Sequence, residues 1–299
     1  MRCDRDVRCA CAYACVRDER TRSSSSQPML SPAPLCSLTY ALGRSLYVPL
    51  TCRSNSRTLP DTRGPGFVLP ADVVGSLLEV RRLELHVAHA SGGGDGNISS
   101  GEKMLLPPLD LSYVSHIDDT VTSPIITDDM LCKDIESRFQ EAKRSRKQYD
   151  SLVIAGEGEP TLRLSTLLSI VRSRRPIAVP GSDNECAIRV VTNGLGDAVP
   201  GSNNECAKQM KEAGVSGVSV ALMTASSDQY DELMHPYLPE EISTPALDVV
   251  CAFIGNCVDI GLNVEVTGVD REEVDKEAAE ELARSLGVIE PVRWRPYFP

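Results

Sequence analysis

The 299-residue sequence contains only four histidines, and their positions do not favour catalysis. His86 and His89 lie beside a segment of flexible composition, His116 lies inside it, and His235 precedes a proline. A serine or cysteine nucleophile needs a base within hydrogen-bonding reach, and zinc sites are commonly built from histidine and cysteine. The sequence therefore argues against ordinary hydrolase chemistry and against a zinc centre.

Positive charge and long apolar runs are lacking as well. Asp and Glu number 42 against 31 Lys and Arg, which gives a formal net charge of −11. A chain without basic excess cannot displace the counterions of nucleic acid, which argues against a nucleic-acid partner. No apolar run approaches the roughly 18 residues of a membrane-spanning helix. We expect a soluble protein that binds a small-molecule substrate or nucleotide, and the sequence does not identify a protein partner.

The eleven cysteines are scattered without regular pairing, and no apolar signal peptide is evident. This pattern indicates reduced thiols in an intracellular protein, for which the cytoplasm is favoured and a plastid or mitochondrion is the alternative. Residues 1–38 are rich in Arg, Ser and Pro and are interpreted as a disordered or targeting leader. Acidic residues at four positions of this leader are unusual for a transit peptide.

From Leu46 onward, short β-rich runs alternate with amphipathic runs, which indicates an α/β fold of parallel strands joined by helices. The helix before the second strand is marked by a stripe at Leu131, Ile135, Phe139 and Ala142. A second helix is predicted after a capping box at Asp270 and Glu273. Six strands are predicted, at 46–51, 151–156, 188–193, 218–222, 263–269 and 291–297.

Two irregular segments interrupt this alternation. Residues 87–127 lose periodicity and include "ASGGGDGNISSGEK", which predicts a flexible insert. The segment "VPGSDNECA" at 179–187 returns as "VPGSNNECA" at 199–207. Because the residues after the first copy do not resemble those after the second, we interpret this as a local duplication or a gene-model error. The alternative interpretation makes Cys186 and Cys206 a pair of ligands.

The segment "GEGEP" comes directly after the second predicted strand, where α/β folds build their sites. Its glycines, Gly156 and Gly158, would let a ligand approach the backbone, and Glu157 or Glu159 could bind an ammonium group. Pro160 then begins a helix whose N-terminus favours an anion. Together these features suit an amino-acid moiety, and the alternative is a tight strand-to-helix turn.

The segment "TNG" comes at the end of the third predicted strand. Thr192 and Asn193 offer short polar groups that could hydrogen-bond ribose hydroxyls, while Gly194 makes the turn. A simple turn would use the same three residues.

Taken in order, several segments resemble the radical S-adenosylmethionine (SAM) superfamily, in particular the subfamily associated with TatD-type hydrolases. They are "LVIAGEGEPTLRLSTLL", "IRVVTNGL", "MKEAGVSGVSVALMTASSDQYDELMHP", "VEVTGVDREEVDKEAAEELARSLGV" and "RWRPYFP". The resemblance covers roughly residues 45–56 and 150–299. It implies that residues 39–299 form a partial (β/α)6 TIM-like barrel with SAM lying across the strand ends. It also implies that residues 156–159 contact the methionine amino group and residues 192–194 hold the ribose and methionine.

The family also carries a CxxxCxxC loop after the first strand, in which three thiolates hold a [4Fe–4S] cluster. In this sequence Ser54, Thr58 and Asp61 stand at those positions, and Cys52 is the only thiol in the loop. One thiolate cannot hold a four-iron cluster. The cluster that the family requires is therefore expected to be missing.

These observations leave three hypotheses open. The first is a cluster-free relative that still binds SAM or a related nucleotide, as a sensor, as a scaffold or in another reaction. The second is an active radical SAM enzyme whose cluster is held by other groups or by a partner. The third is a barrel that binds phosphate or another anionic metabolite through the loop at 53–66, with Arg53, Arg57 and Arg63 as the cations.

Overall fold

The structure is a computed structural model. It describes residues 37–89, 126–174, 186–199, 201–202 and 204–299. Nearly all of the predicted leader at 1–38 and of the predicted insert at 87–127 lies outside these residues. The first copy of the repeated segment, at 179–187, also lies outside them except for its last two residues.

Seven strands of the described chain form one sheet, in which they are arranged in sequence order. The first two form an antiparallel hairpin, and every later strand pairs in parallel with the one before it. The strands are β1 (Tyr40–Leu42), β2 (Ser45–Val48), β3 (Ser151–Ile154), β4 (Ala187–Thr192), β5 (Gly217–Ala221), β6 (Asn263–Asp270) and β7 (Arg293–Pro296).

Each parallel pair of strands is joined by at least one helix. The helices are α1 (Leu59–Thr62), α2 (Ala71–His89), α3 (Asp128–Arg144), α4 (Leu164–Arg174), α5 (Cys206–Ala213), α6 (Ser227–Met234), α7 (Ala246–Asp259) and α8 (Lys276–Ser285). No helix in the described ranges is both long enough and apolar enough to span a bilayer.

The architecture is an α/β half-barrel, so the predicted fold class, a partial (β/α)6 barrel, is confirmed. All six predicted strands are present as β2 to β7, with ends that differ by a few residues. Strand β1 was not predicted, because a three-residue strand is too short to show an alternating pattern. Its antiparallel pairing adds a hairpin at the edge of the parallel sheet.

The two faces of the sheet differ in chemistry because successive side chains of a strand point to opposite sides. The outer face is aliphatic and packs against the helices, and burial of each such side chain contributes about 1.5–3 kcal/mol. Fully buried examples are Leu46, Val48, Ile154, Val190, Val220 and Val266. The inner face is mixed, and carries Tyr47, Arg189, Ser219, Glu265 and Arg293 together with Val153 and Val191 at the alternate positions.

Helix α3 matches its predicted stripe. Leu131, Ile135 and Ala142 are buried. Phe139 lies partly buried, with its ring edge-to-face against Tyr149 at a centroid distance of 5.4 Å. This helix therefore packs on the outer face of the sheet, as its periodicity predicts.

Helix α8 begins later than predicted. The carboxylate of Asp275 accepts a hydrogen bond from the Ala278 amide at 3.0 Å and caps the helix. Asp270 was the predicted cap, but it is the last residue of β6, where it pairs with Pro296. Its side chain instead contacts Lys276 at 2.7 Å on the surface. The capping box at Asp270 is therefore wrong, because sheet pairing keeps the chain extended at that residue.

We predict that Asp275→Ala lowers the free energy of unfolding by about 1 kcal/mol, because the first turn of α8 loses its side-chain acceptor. The matched control is Asp270→Ala, which removes only an exposed ion pair and should cost less than about 0.5 kcal/mol. Urea denaturation of the two variants measures the difference. An equal loss for both would contradict the observed cap.

Candidate ligand site at the carboxyl ends of the strands

The three sequence-predicted segments meet at one edge of the sheet. The Glu159 amide donates to the carbonyl of Arg53 at 2.8 Å, which joins the "GEGEP" segment to the loop after β2. The Asn193 amide donates to the Glu159 carboxylate at 2.7 Å, which joins "TNG" to "GEGEP". Parallel strands with adjacent registers end side by side, so the loops after them converge.

Glu159 lies at the centre of this edge and is only 3% exposed. Its Oε1 atom accepts from the Thr161 amide at 3.0 Å, the Thr161 hydroxyl at 2.7 Å and the Thr192 hydroxyl at 2.8 Å. Its Oε2 atom accepts from the Asn193 amide. All four donors are neutral. Burial raises the pKa of this carboxyl, although the hydrogen bonds from Asn193 and Thr161 act in the opposite direction.

The neighbouring carboxylate, Glu157, has a cationic partner. The Arg81 guanidinium of α2 donates from Nε to Glu157 Oε2 at 2.6 Å, and its Nη2 contacts Oε1. Both side chains are buried, with relative exposures of 8% and 4%. Burial raises the pKa of Glu157 more than Arg81 lowers it. The pair fastens α2 to the loop after β3.

The two glycines of "GEGEP" are required by the close approach of the chain after β2. A Cβ atom at Gly156 would lie 2.5 Å from the Cβ of Pro49. A Cβ atom at Gly158 would lie 2.3 Å from the carbonyl oxygen of Arg53. Both distances are too short for any side chain, so these positions accept only glycine while the loop keeps this path.

The "TNG" segment is held by the same loop. The Asn193 side-chain amide donates to Asn55 Oδ1 at 2.7 Å and to Ser56 Oγ at 2.9 Å. The Thr192 hydroxyl accepts from the Gly194 amide at 3.1 Å, and Gly194 has a positive φ of 84°. These groups form the turn and at the same time bind the loop.

The three positions expected to carry cluster cysteines make structural hydrogen bonds. Thr58 caps α1 and donates to Asp61 Oδ2 at 2.6 Å. The Ser54 hydroxyl accepts from the Ser56 amide at 3.3 Å. Ser54 and Thr58 are buried, whereas Asp61 is exposed.

The only thiol of this loop is equally unsuited to iron. Cys52 is buried, and its amide donates to Glu84 Oε2 at 2.7 Å. Burial and the charge of Glu84 raise the pKa of the Cys52 thiol, whereas a metal ligand must be a thiolate. Within the described ranges no three His, Cys, Asp or Glu side chains form a metal-binding group. These residues do not fit a [4Fe–4S] cluster.

The loop at 51–58 covers the strand ends. The Arg57 amide donates to the Met234 carbonyl at 2.6 Å, and the Tyr237 amide donates to the Asn55 carbonyl at 2.7 Å. A cavity of only about 10 Å³ remains between this loop and the "GEGEP" and "TNG" segments. That space is about the size of one water molecule. The predicted SAM contacts are therefore assembled beneath a closed loop.

Arg53, Arg57 and Arg63, the three arginines expected to bind an anionic metabolite, lie in different surroundings. Arg53 is exposed, and Arg57 lines the small cavity beneath the loop. The Arg63 guanidinium lies over the rings of Phe67 and Phe298, at 4.5 and 5.5 Å from their centroids. Its Nε donates to the last carbonyl of β7 at 2.8 Å. Arg63 thus joins the end of α1 to the residues after β7.

Two features of this region were not predicted from the sequence. Arg81 was missed because α2 was not predicted, although Arg81 lies four residues after Leu77 and so shares its buried face. A second, larger cavity of about 210 Å³ lies against the inner face of the sheet, and Arg295 is among its lining residues. The alternation along "RWRPYF" was the available signal, since it places Arg293 and Arg295 on one face.

The fold and site together define an open α/β half-barrel with polar strand ends. A structural likeness exists to a radical SAM methyltransferase from Sphaerobacter thermophilus, with 15% identity, a TM-score of 0.32, and coverage of 57% of this chain and 58% of that chain. Another exists to the radical S-adenosylmethionine methyltransferase TsrM from Kitasatospora setae, whose structure has cobalamin and a [4Fe–4S] cluster bound. Identity is 11% and the TM-score is 0.37, over 55% of this chain and 30% of that chain. No family model and no curated protein matches the sequence.

We predict that Arg81→Met lowers the free energy of unfolding by about 3 kcal/mol, because it leaves the Glu157 carboxylate buried without its cation. The double variant Arg81→Met/Glu157→Leu should recover most of that loss. Arg82→Met is the neighbouring control, and since Arg82 is about half exposed it should cost less than about 1 kcal/mol. Chemical denaturation measures all three, and a double variant no more stable than Arg81→Met would refute the buried pair.

Proposed function

We propose that the protein is a cluster-free relative of the radical SAM enzymes that binds SAM, or a related nucleotide with an amino group, as a sensor or scaffold. The ligand would lie at the carboxyl ends of β3 and β4. The observation that carries the proposal is the buried Glu159 carboxylate, whose hydrogen-bond donors are all neutral. Placement within the TatD-associated subfamily is part of the proposal and rests on the sequence segments alone.

The charge of Glu159 favours a cationic ligand group. Burying a carboxylate is costly unless a positive charge or several hydrogen bonds compensate it. Among the residues that the structure describes, Oε1 accepts three bonds and Oε2 accepts one, from the Asn193 amide. A carboxylate oxygen has two lone pairs, so Oε2 can accept one more donor. The ammonium of a methionine moiety would supply both that donor and the missing positive charge.

Binding requires the loop at 51–58 to move, because a cavity of about 10 Å³ cannot hold a nucleotide. Opening would break the bonds from the Asn193 amide to Asn55 and Ser56. Ribose hydroxyls can replace both acceptors, so little hydrogen-bond energy need be lost. The loop therefore competes with the ligand for the same donors.

The proposal involves no radical chemistry. Because Ser54, Thr58 and Asp61 offer no thiolate, the loop after β2 does not provide the three ligands of a [4Fe–4S] cluster. An active radical SAM enzyme would need cluster ligands from a partner or from outside the described residues. The anion-binding loop of Arg53, Arg57 and Arg63 is a weaker alternative, because Arg63 already stacks on two phenylalanine rings.

Isothermal titration calorimetry with SAM tests the proposal. We expect Glu159→Gln to weaken binding at least about tenfold, because a charge-assisted hydrogen bond is replaced by a neutral one. The matched control, Glu281→Gln on the exposed face of α8, changes net charge equally and should leave affinity unchanged. Asn55→Ala should strengthen binding, since Asn193 then loses a competing acceptor.

The Asn55→Ala variant keeps the test decisive if Glu159→Gln proves too unstable to measure. Absence of binding at about 1 mM SAM to both the natural chain and Asn55→Ala would reject the proposal. Equal SAM affinities of Asn55→Ala and the natural chain would show that the loop at 51–58 does not compete with the ligand for Asn193.

A further inference from the structure

The inner face of the sheet carries positive charge in a protein whose net charge is −11. Glu265 on β6 is its shared acceptor, at 3.1 Å from the Arg189 guanidinium and 3.4 Å from that of Arg293. The Ser219 hydroxyl also donates to it, at 3.0 Å. Burial acts to raise the pKa of Glu265, but the hydrogen bond from Ser219 and the two arginines hold that pKa below its ordinary value. The Glu265 carboxylate therefore already pairs with both Arg189 and Arg293.

A third arginine on this face has no such partner. Arg295 is two residues beyond Arg293 on β7 and so points to the same side of the sheet. It is half-buried, and its side chain forms no hydrogen bond or salt bridge with any residue that the structure describes. The guanidinium donors of Arg295 therefore stay available to a ligand that enters from solvent.

Arg295 lines the larger cavity, of about 210 Å³. The rings of Tyr40 and Tyr47 also line it, stacked on each other with centroids 5.2 Å apart and planes inclined by 10°. Val191 contributes an apolar wall, and Thr267 a hydroxyl. The cavity thus combines a cation, a flat aromatic surface and an apolar surface.

A second cation faces the same cavity. Arg63 lines it, and burial together with the charges of Arg295 and Arg293 lowers the pKa of Arg63. Burial and the charge of Arg293 lower the pKa of Arg295, and the charge of Glu265 acts in the opposite direction. Because the Arg63 guanidinium stacks on two phenylalanine rings, Arg295 is the cation placed to contact an anion. An anion there would also reduce the effect of Arg295 on Arg63.

We propose that this cavity binds a small aromatic anion, a carboxylate or phosphate carried on a single ring, with Arg295 as its principal contact. A guanidinium matches carboxylate and phosphate oxygens in a bidentate geometry. The cavity volume of about 210 Å³ is smaller than the roughly 300–1,000 Å³ of sites for drug-sized ligands, which suits a one-ring metabolite. The stacked tyrosines and Val191 would contact the ring. The cavity adjoins the small one beneath the loop and shares Gly156 and Val191 with it, but Glu159 does not line it.

Calorimetry on the full chain with benzoate, phenyl phosphate and neutral benzamide tests the site. We expect at least one of the two anions to bind, and benzamide to bind at least about tenfold more weakly, because it lacks the charge. Preference for benzoate or for phenyl phosphate identifies the anionic group. Binding of neither anion, or equal binding of benzamide, overturns the proposal.

Two variants locate the binding. Arg295→Gln should weaken binding of the anion at least about tenfold. Arg284→Gln on the surface of α8 has the same charge change and should leave the affinity unchanged. Val191→Phe should also block binding by filling the cavity, and it keeps the test valid if Arg295→Gln fails to fold. Unchanged affinity in Arg295→Gln or in Val191→Phe overturns the site. Glu159→Gln should leave anion binding intact, so this proposal and that for SAM fail separately.

Discussion

The buried carboxylate of Glu159 is the interaction on which the strand-end region depends. It accepts hydrogen bonds from the helix turn after β3 and from the end of β4, and so fixes two neighbouring strand ends relative to each other. A hydrogen-bonded carboxylate in such surroundings is favourable only while every donor stays in place. That requirement sets the positions of Thr192 and Asn193, and Asn193 in turn sets the path of the loop at 51–58. The proposed amino-group ligand follows from this geometry, because no cation among the described residues pairs with Glu159.

The same loop makes structural contacts at the positions where the resemblance to radical SAM enzymes leads one to expect cysteines. Its polar side chains bond to the strand ends and within α1, and Ser54 and Thr58 are buried by that arrangement. The inner face of the sheet keeps a larger cavity lined by Arg295 and two tyrosines, which adjoins the small cavity beneath the loop at Gly156 and Val191.

The sequence predicted the parts of this structure that depend on local pattern. Short β-rich runs alternating with amphipathic runs located β2 to β7, and the strand-end rule brought Glu159 and Asn193 to one edge. Contacts between distant residues could not be predicted, since Arg81 and Glu157 are 76 positions apart and Asn55 and Asn193 are 138 apart. The cap of α8 was misplaced for a related reason. The pairing of β6 with β7 extends the strand through Asp270, and no local signal shows that pairing.

The absence of a cluster is the central claim, and the iron and acid-labile sulfide content of the full chain after anaerobic reconstitution tests it most directly. We predict far less than one iron and one sulfide per chain after removal of unbound iron, together with retained SAM binding. About four irons and four sulfides per chain would contradict the claim. That result would show that groups other than Ser54, Thr58 and Asp61 hold a [4Fe–4S] cluster.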